Sequence, residues 1–194
     1  MKLITNLTIL FVLITNISFS QTWETLDITE FARIDFPTLP EITNTPQELI
    51  FNTRDSSAIY LVTVRDLSNR NINLTANQLP EFYQGVINGT IESSNGQLLE
   101  QNAIEVNNIP GVEILYFSNS NPQLPELRSK RILLVNQHLI NIDFWTTEDL
   151  KQIAETNKSI YFNSLDLGNN TEQSIEPEVV IEKSEAFEQG YNSG

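Results

Sequence analysis

Thiol chemistry is closed to this chain and imidazole chemistry would rest on one residue, because its 194 residues include no cysteine and a single histidine, His138. A serine nucleophile needs a base positioned beside it, yet that imidazole sits next to a two-residue turn, Asn136-Gln137, and no G-x-S-x-G stretch surrounds any serine. His138 therefore reads as a turn residue. Zinc would lean on the same imidazole, with no H-E-x-x-H and no cysteine pair to help. Calcium asks only for oxygens, and residues 66–71 (DLSNRN) offer several, but the spacing of a calcium loop is missing and Arg70 places a cation inside it. No glycine-rich phosphate loop occurs. The expectation is no cofactor, no metal and no catalytic residue. A pair of converging carboxylates, as in glycoside hydrolysis, stays open as an alternative, since any two of the nineteen acids between residues 21 and 168 could meet.

Binding is better provided for. Arg128, Lys130 and Arg131 form the one basic cluster, and Arg128 with Trp145 are the candidate binding residues. What must position them is the stretch 128–145, RSKRILLVNQHLINIDFW, two apolar runs about Asn136-Gln137. Folded as a hairpin on that loop, it pairs Val135 with His138, Leu133 with Ile140, Arg131 with Ile142 and Ser129 with Phe144 on one, mostly apolar face. The other face pairs Leu134 with Leu139, Ile132 with Asn141, Lys130 with Asp143 and Arg128 with Trp145. It starts apolar at the turn and ends in an ion pair and a cation–π contact. A half-covered sheet is implied. Trp23 and Trp145 could line a ligand groove, or each sit at the rim of the core.

Around that hairpin the chain alternates as strands do. Residues 22–28 and 33–36 make two, the second stopped by Pro37 and Pro40. Residues 48–53 and 58–64 make a hairpin on Arg54-Asp55-Ser56-Ser57, and the near-continuous apolar run 59–64 reads as a central strand covered on both faces. Leu79, Phe82, Tyr83, Val86, Ile87 and Thr90 follow a helical period, with Asn77 as the expected cap, Pro80 in the first turn, and Gly85 and Gly89 expected to let the helix approach a sheet. Residues 97–106 and 109–118 pair across Asn107-Asn108, with a bend or bulge expected at Pro110-Gly111. A last helix, capped by Thr146 or Thr147 and ending near Asn163, carries the stripe Leu150, Ile153, Ala154, Asn157, Ile160 and Tyr161.

Residues 1–20 have the layout of a secretory signal: Lys2, an apolar run at 7–14, then Ser18-Phe19-Ser20 as the cleavage site. The run is too short and too interrupted to span a bilayer, and no later apolar stretch could do so, so no membrane span is expected once the signal is removed. The product is expected in the periplasm or outside the cell. Residues 21–168 make one domain, nine basic residues against nineteen acidic, and 169–194 make an acidic tail that is disordered by composition. A formal charge of −14 repels phosphate backbones, which argues against nucleic acid.

Strand, strand with Phe36-Pro37-Thr38-Leu39-Pro40, hairpin, helix, strand, Asn108-Ile109-Pro110-Gly111-Val112-Glu113 leading a strand, hairpin and C-terminal helix: this order resembles the PsbP/MOG-like family over about residues 23–167. The resemblance implies an α+β domain, an antiparallel sheet flanked by helices as an α/β/α sandwich. Its members include an extrinsic photosystem II subunit, a Ran-binding protein, envelope lipoproteins and secretion adaptors, which share a protein-binding scaffold and no common active site. No functional residue transfers. The function expected is thus an exported, non-catalytic binding or adaptor module whose partner is a protein or a cell-envelope component. The alternatives are a small hydrolase with a carboxylate pair, or an immunity- or inhibitor-type protein suited by its acidity to a basic target. N-terminal sequencing of the product made in a bacterial host should begin at Gln21; a product that retains Met1 and stays in the cytosol would overturn the export reading.

Overall fold

The structure, a computed structural model, describes residues 22–168 apart from 71 and 73; the expected signal at 1–20 and the acidic tail at 169–194 lie outside them. Ten strands and two helices follow in the order β1 (Glu24–Thr29), β2 (Ala32–Phe36), β3 (Glu41–Asn44), β4 (Leu49–Arg54), β5 (Ile59–Asp66), α1 (Leu79–Ser93), β6 (Gln97–Val106), β7 (Ile109–Phe117), β8 (Leu127–Val135), β9 (His138–Thr146), α2 (Lys151–Asn163) and β10 (Asp166–Leu167). Seven strands form one antiparallel sheet in the order β3-β4-β5-β9-β8-β7-β6. The fold is α+β, with helices flanking this sheet as expected. The first two strands, however, leave the sheet and join β10 in a second, three-stranded one, β1-β2-β10.

The β8–β9 hairpin has the register read from its sequence, from Val135 opposite His138 to Arg128 opposite Trp145. Asn136 and Gln137 both have positive φ, 47° and 61°, so both residues are left-handed and the turn matches the right-handed twist of the flanking strands. Asn107 and Asn108 make the same kind of turn between β6 and β7. Period-two alternation then sorts the hairpin. Leu133, Val135, Ile140, Ile142 and Phe144 face a core closed by the small sheet and α2. Ile132, Leu134 and Leu139 face a second core under α1, with Tyr83, Ile87, Val112 and Ile114.

Several local expectations are corrected. Pro110-Gly111 makes no bulge; β7 runs through it in register, and the irregularity falls on β6 at the other end of the pair, between Leu98 and Glu100. The β7–β8 pairing instead stops at Gly111 and Leu133, where a Cβ on residue 111 would lie 2.8 Å from the Ile132 carbonyl. There the Tyr83 hydroxyl bridges the two strands, donating to the Pro110 carbonyl (2.7 Å) and accepting from the Leu134 N–H (3.1 Å). Asn77 does not cap α1; Gln78 reaches back, its Oε1 accepting from the Thr75 N–H at 2.9 Å, so the turn closes one step earlier. Gly85 and Gly89 do not approach a sheet either, since a Cβ at either one would meet open space. Thr147 precedes a short 3₁₀ turn (Glu148–Leu150), and α2 starts only at Lys151, without a side-chain cap. On α2 Ala154 and Tyr161 of the expected stripe are buried, but Ile153 is 69% and Ile160 41% exposed and Phe162 is buried in their stead, so the face is rotated toward Phe162.

That rotation has a polar cause. Asp55, in the β4–β5 turn, accepts through Oδ1 from the Ser57 N–H (2.7 Å), the Ser57 hydroxyl (2.8 Å) and the Ala58 N–H (2.9 Å). Its Oδ2 accepts from the Tyr60 hydroxyl (2.7 Å) and from Asn157 Nδ2 of α2 (3.2 Å). Tyr161 donates to the Leu61 carbonyl at 2.9 Å, and its ring meets Tyr60 edge-on at 5.1 Å. Partial burial would raise the Asp55 carboxyl, but its hydrogen bonds, led by Tyr60, outweigh that and hold it below the usual 3.8. A carboxyl lowered in the folded state stabilises the fold above its unfolded pKa, and that contribution fades as pH falls through the folded value. Asp55→Asn should thus cost about 1–3 kcal/mol in urea unfolding at pH 7, with the gap to the parent chain narrowing below pH 4; an equal gap at pH 7 and pH 3 would rule out the charge.

Candidate functional site

Strand β5 was expected to be covered on both faces, and it is covered on one. Tyr60, Val62 and Val64 are buried in the core closed by α2, while Ile59, Leu61 and Thr63 are half-exposed on the opposite side. The reason is the placement of α1. It lies over β7, β8 and the turn end of β9, and nothing among the described residues covers the same face of β4, β5 and the far end of β9. The alternation of β5 carried this signal: the parity that holds Ile59 and Leu61 continues to Thr63 and Arg65, which suits a face that meets water.

This open half-face is built by register. Ile59 pairs with Trp145, Leu61 with Asp143 and Thr63 with Asn141 on β9, while Leu61 meets Asn52 on β4. Asp143 pairs in turn with Lys130 on β8. The patch is therefore an apolar row, Ile50, Ile59, Leu61 and Trp145, beside a polar row. Lys130 Nζ lies 2.8 Å from Asp143 Oδ2, with the carboxylate 5% exposed, and the Trp145 indole N–H donates to Asp143 Oδ1 at 3.3 Å. Asn141 Oδ1, at the border with the α1 core, is buried without a hydrogen-bond partner among the described residues.

The two candidate binding residues are brought together. The Arg128 guanidinium stacks on the Trp145 ring at 3.9 Å from its centroid, as the register implied. Arg128 is nevertheless buried, 6% exposed, and its Nε donates to the Pro125 carbonyl at 3.2 Å. Tyr116 faces it from β7; burial, helped by the Asp143 charge, pushes that phenol well above its usual pKa. Arg128 thus holds Trp145 in place from behind, and Trp145 offers the remaining surface. Arg131 points the other way, its Nε 2.7 Å from Glu113 Oε2 and its guanidinium over Phe162. The basic cluster is split between the two faces. Trp23 packs edge-on against Tyr60 in the closed core, on the far side of the sheet from Trp145, so the two tryptophans share no groove.

His138 stands at the start of β9, its Nδ1–H donating to the Asn136 carbonyl at 2.8 Å. It lines a cleft of about 790 Å³ with Glu30, Glu48, Asp66, Arg65 and Arg70. The cleft mixes these charges with apolar side chains such as Phe31 and Leu49, and its charges are partly paired: Arg65 binds Glu48 at 2.9 Å, and Asp66 accepts from the Ser68 N–H at 2.8 Å, which holds its carboxyl below the usual range. Among the described residues no three His, Asp or Glu side chains converge as a metal site requires, and no helix is long and apolar enough to cross a membrane.

No protein-family model and no curated protein sequence matches the chain. Solved structures do. The solution structure of cyanobacterial PsbP (CyanoP) from Synechocystis superimposes with a TM-score of 0.52 at 12% identity, over 78% of this chain and 96% of that one. The chain has the PsbP fold. Weaker likenesses are the Ran-binding protein Mog1p of Saccharomyces cerevisiae (TM-score 0.45, 6% identity, 76% and 96% covered) and a Pseudomonas aeruginosa protein, PA94, described as a putative regulator (0.44, 12%, 71% and 91%). At such identity the PsbP-like fold transfers and the residues do not. Within it, Lys130→Met should destabilise the domain by about 3–5 kcal/mol, because Asp143 is left as a buried charge without its cation; a melting temperature unchanged by the substitution would mean that the pair contributes nothing.

Proposed function

We propose that this PsbP-like chain is an exported, non-catalytic binding module that engages a protein or envelope component through the open half-face of its large sheet. The observation that carries this reading is that Ile59, Leu61 and Trp145 stand half-exposed in one row, outside both cores. Interior apolar rows in a sheet are normally covered, and an apolar patch rimmed by polar residues marks a surface that is covered part of the time. Trp145 is a rigid anchor of the kind that dominates interfaces, already fixed by Arg128 and Asp143, so little side-chain freedom is lost on docking. Mog1p, whose name describes it as Ran-binding, is a protein-binding example among the structures noted above.

Export is part of the proposal and rests on the layout of residues 1–20. The competing hydrolase reading would need a carboxylate pair in a pocket. The cleft beside His138 gathers three carboxylates, but Glu48 is bound to Arg65 and Asp66 is held low, whereas a general acid needs a raised pKa.

A photo-crosslinking residue at Leu61 should trap one discrete species from the native cell envelope, and the same residue at Asn102, exposed on β6, should not. Leu61→Lys should abolish co-purification of that species while shifting the melting temperature by less than about 3 °C, as expected of a half-exposed site. Equal crosslinking from both positions, or none from Leu61, would sink the proposal.

A further inference from the structure

A second surface lies on the same side of the large sheet, on α1 itself. Between α1 and the loop before it is a groove of about 470 Å³, lined by Leu74, Gln78, Glu81, Phe82, Gly85 and Val86. Phe82 and Val86 are half-buried along one wall, Gly85 leaves the groove without a side chain there, and Gly89, a helical turn further on, continues the bare stripe beyond it; a Cβ at either would meet nothing within 4 Å. Such a stripe lets another backbone come close, which is how small residues four apart serve helix pairing. Neither glycine has a positive φ, so the helix gains nothing locally from them.

Charge decides what fits. Residues 71–127 contain six glutamates and no Lys, Arg, His or Asp. Of these, Glu81 and Glu92 flank the glycines on α1, and Glu100 and Glu105 lie on the adjacent edge strand β6; all four are exposed, and none is in an ion pair among the described residues. A second copy of this chain would bring the same glutamates to the contact. The chain's own residues 169–194, six glutamates against one lysine, would be repelled too, as would an anionic bilayer. We infer that the α1 groove docks a cationic amphipathic helix of a partner protein, its small or apolar stripe over Gly85 and Gly89 and its Lys or Arg side chains against Glu81 and Glu92. This site is separate from the open half-face, which lies beside it on the same side of the sheet, and would give the protein two docking sites.

The probe is a fluorescein-labelled, fourteen-residue Leu/Lys amphipathic peptide, titrated by anisotropy against the full chain, with a Leu/Glu peptide and phosphatidylglycerol vesicles as the other arms. Binding of the Leu/Lys peptide alone is expected. Gly85→Leu with Gly89→Leu, which fills the stripe and raises helix propensity, should weaken it at least tenfold without lowering the melting temperature. Glu81→Gln with Glu92→Gln should weaken it and flatten its salt dependence, and Leu61→Lys should leave it unchanged. Equal binding by the leucine variant, loss of folding on that substitution, or binding of the Leu/Glu peptide or the vesicles would overturn the inference.

Discussion

Everything in this fold follows from the register of one hairpin. Asn136 and Gln137 hold positive φ together, a conformation that allows a two-residue connection and no other, so β8 and β9 cannot slip by one residue without inverting both faces. With the register set, Lys130 must stand beside Asp143 and Arg128 beside Trp145. Ile142 and Phe144 must then face the opposite side. The sheet grows outward from this pair, β5 on β9 and β7 on β8, and each added strand inherits the same division between faces. Gln137 is the strained member, since a long side chain at φ 61° is costly where asparagine or glycine would be easy. Its carbonyl accepts the Leu67 N–H at 2.9 Å, which anchors the end of β5 to the same turn.

The two faces are then finished by different means. The closed face is sealed by aromatic packing, Tyr60 against Phe144, Tyr161 and Trp23, and by the Asp55 carboxylate, which ties the β4–β5 turn to α2 through Asn157. The α1 face is sealed over only part of its width. A helix of fifteen residues is too narrow to cover seven strands, and this one is drawn to the β7–β8 side, where the Tyr83 hydroxyl occupies the gap left when the ladder stops at Gly111. Coverage of β7 and β8 thus comes at the expense of β5. The long edge strand β6 is left exposed with Glu100, Glu105 and a bulge, features that discourage pairing with other strands.

Much of this was legible in the sequence, and the part that was not has a common origin. Strong local periodicity gave the hairpin register pair by pair, the strand pair about Asn107-Asn108 and both helices. The PsbP-like order of elements gave the α+β class. What local pattern does not encode is which element covers which surface. The run 59–64 is apolar enough for a doubly covered strand, and only the position of α1 leaves one side bare. Gly85 and Gly89 look the same in sequence whether they face a sheet or water. On α2 the apolar count favours Ile153 and Ile160, yet Asn157 and Tyr161 decide its rotation because their partners, Asp55 and the Leu61 carbonyl, lie some hundred residues away. At the candidate site, Arg128 and Trp145 were named from their pairing alone. That Arg128 would be buried by the loop preceding β8 depended on Pro125, which has no periodic signature.

An open sheet face with apolar side chains would ordinarily destabilise a monomer or promote aggregation. Here the charged groups of the face are satisfied from within: Lys130 and Asp143 neutralise each other, and Trp145 is clamped between Arg128 and the Asp143 carboxylate. Those contacts do not require a partner, so the apolar row of Ile59, Leu61 and Trp145 keeps its geometry while bare. A surface held in this way gives up little entropy when it is covered. The same ion pair that stabilises the centre of the sheet therefore also pre-organises its exposed flank, which gives a buried charge pair, weak as a source of stability against an apolar alternative, a physical role at this position.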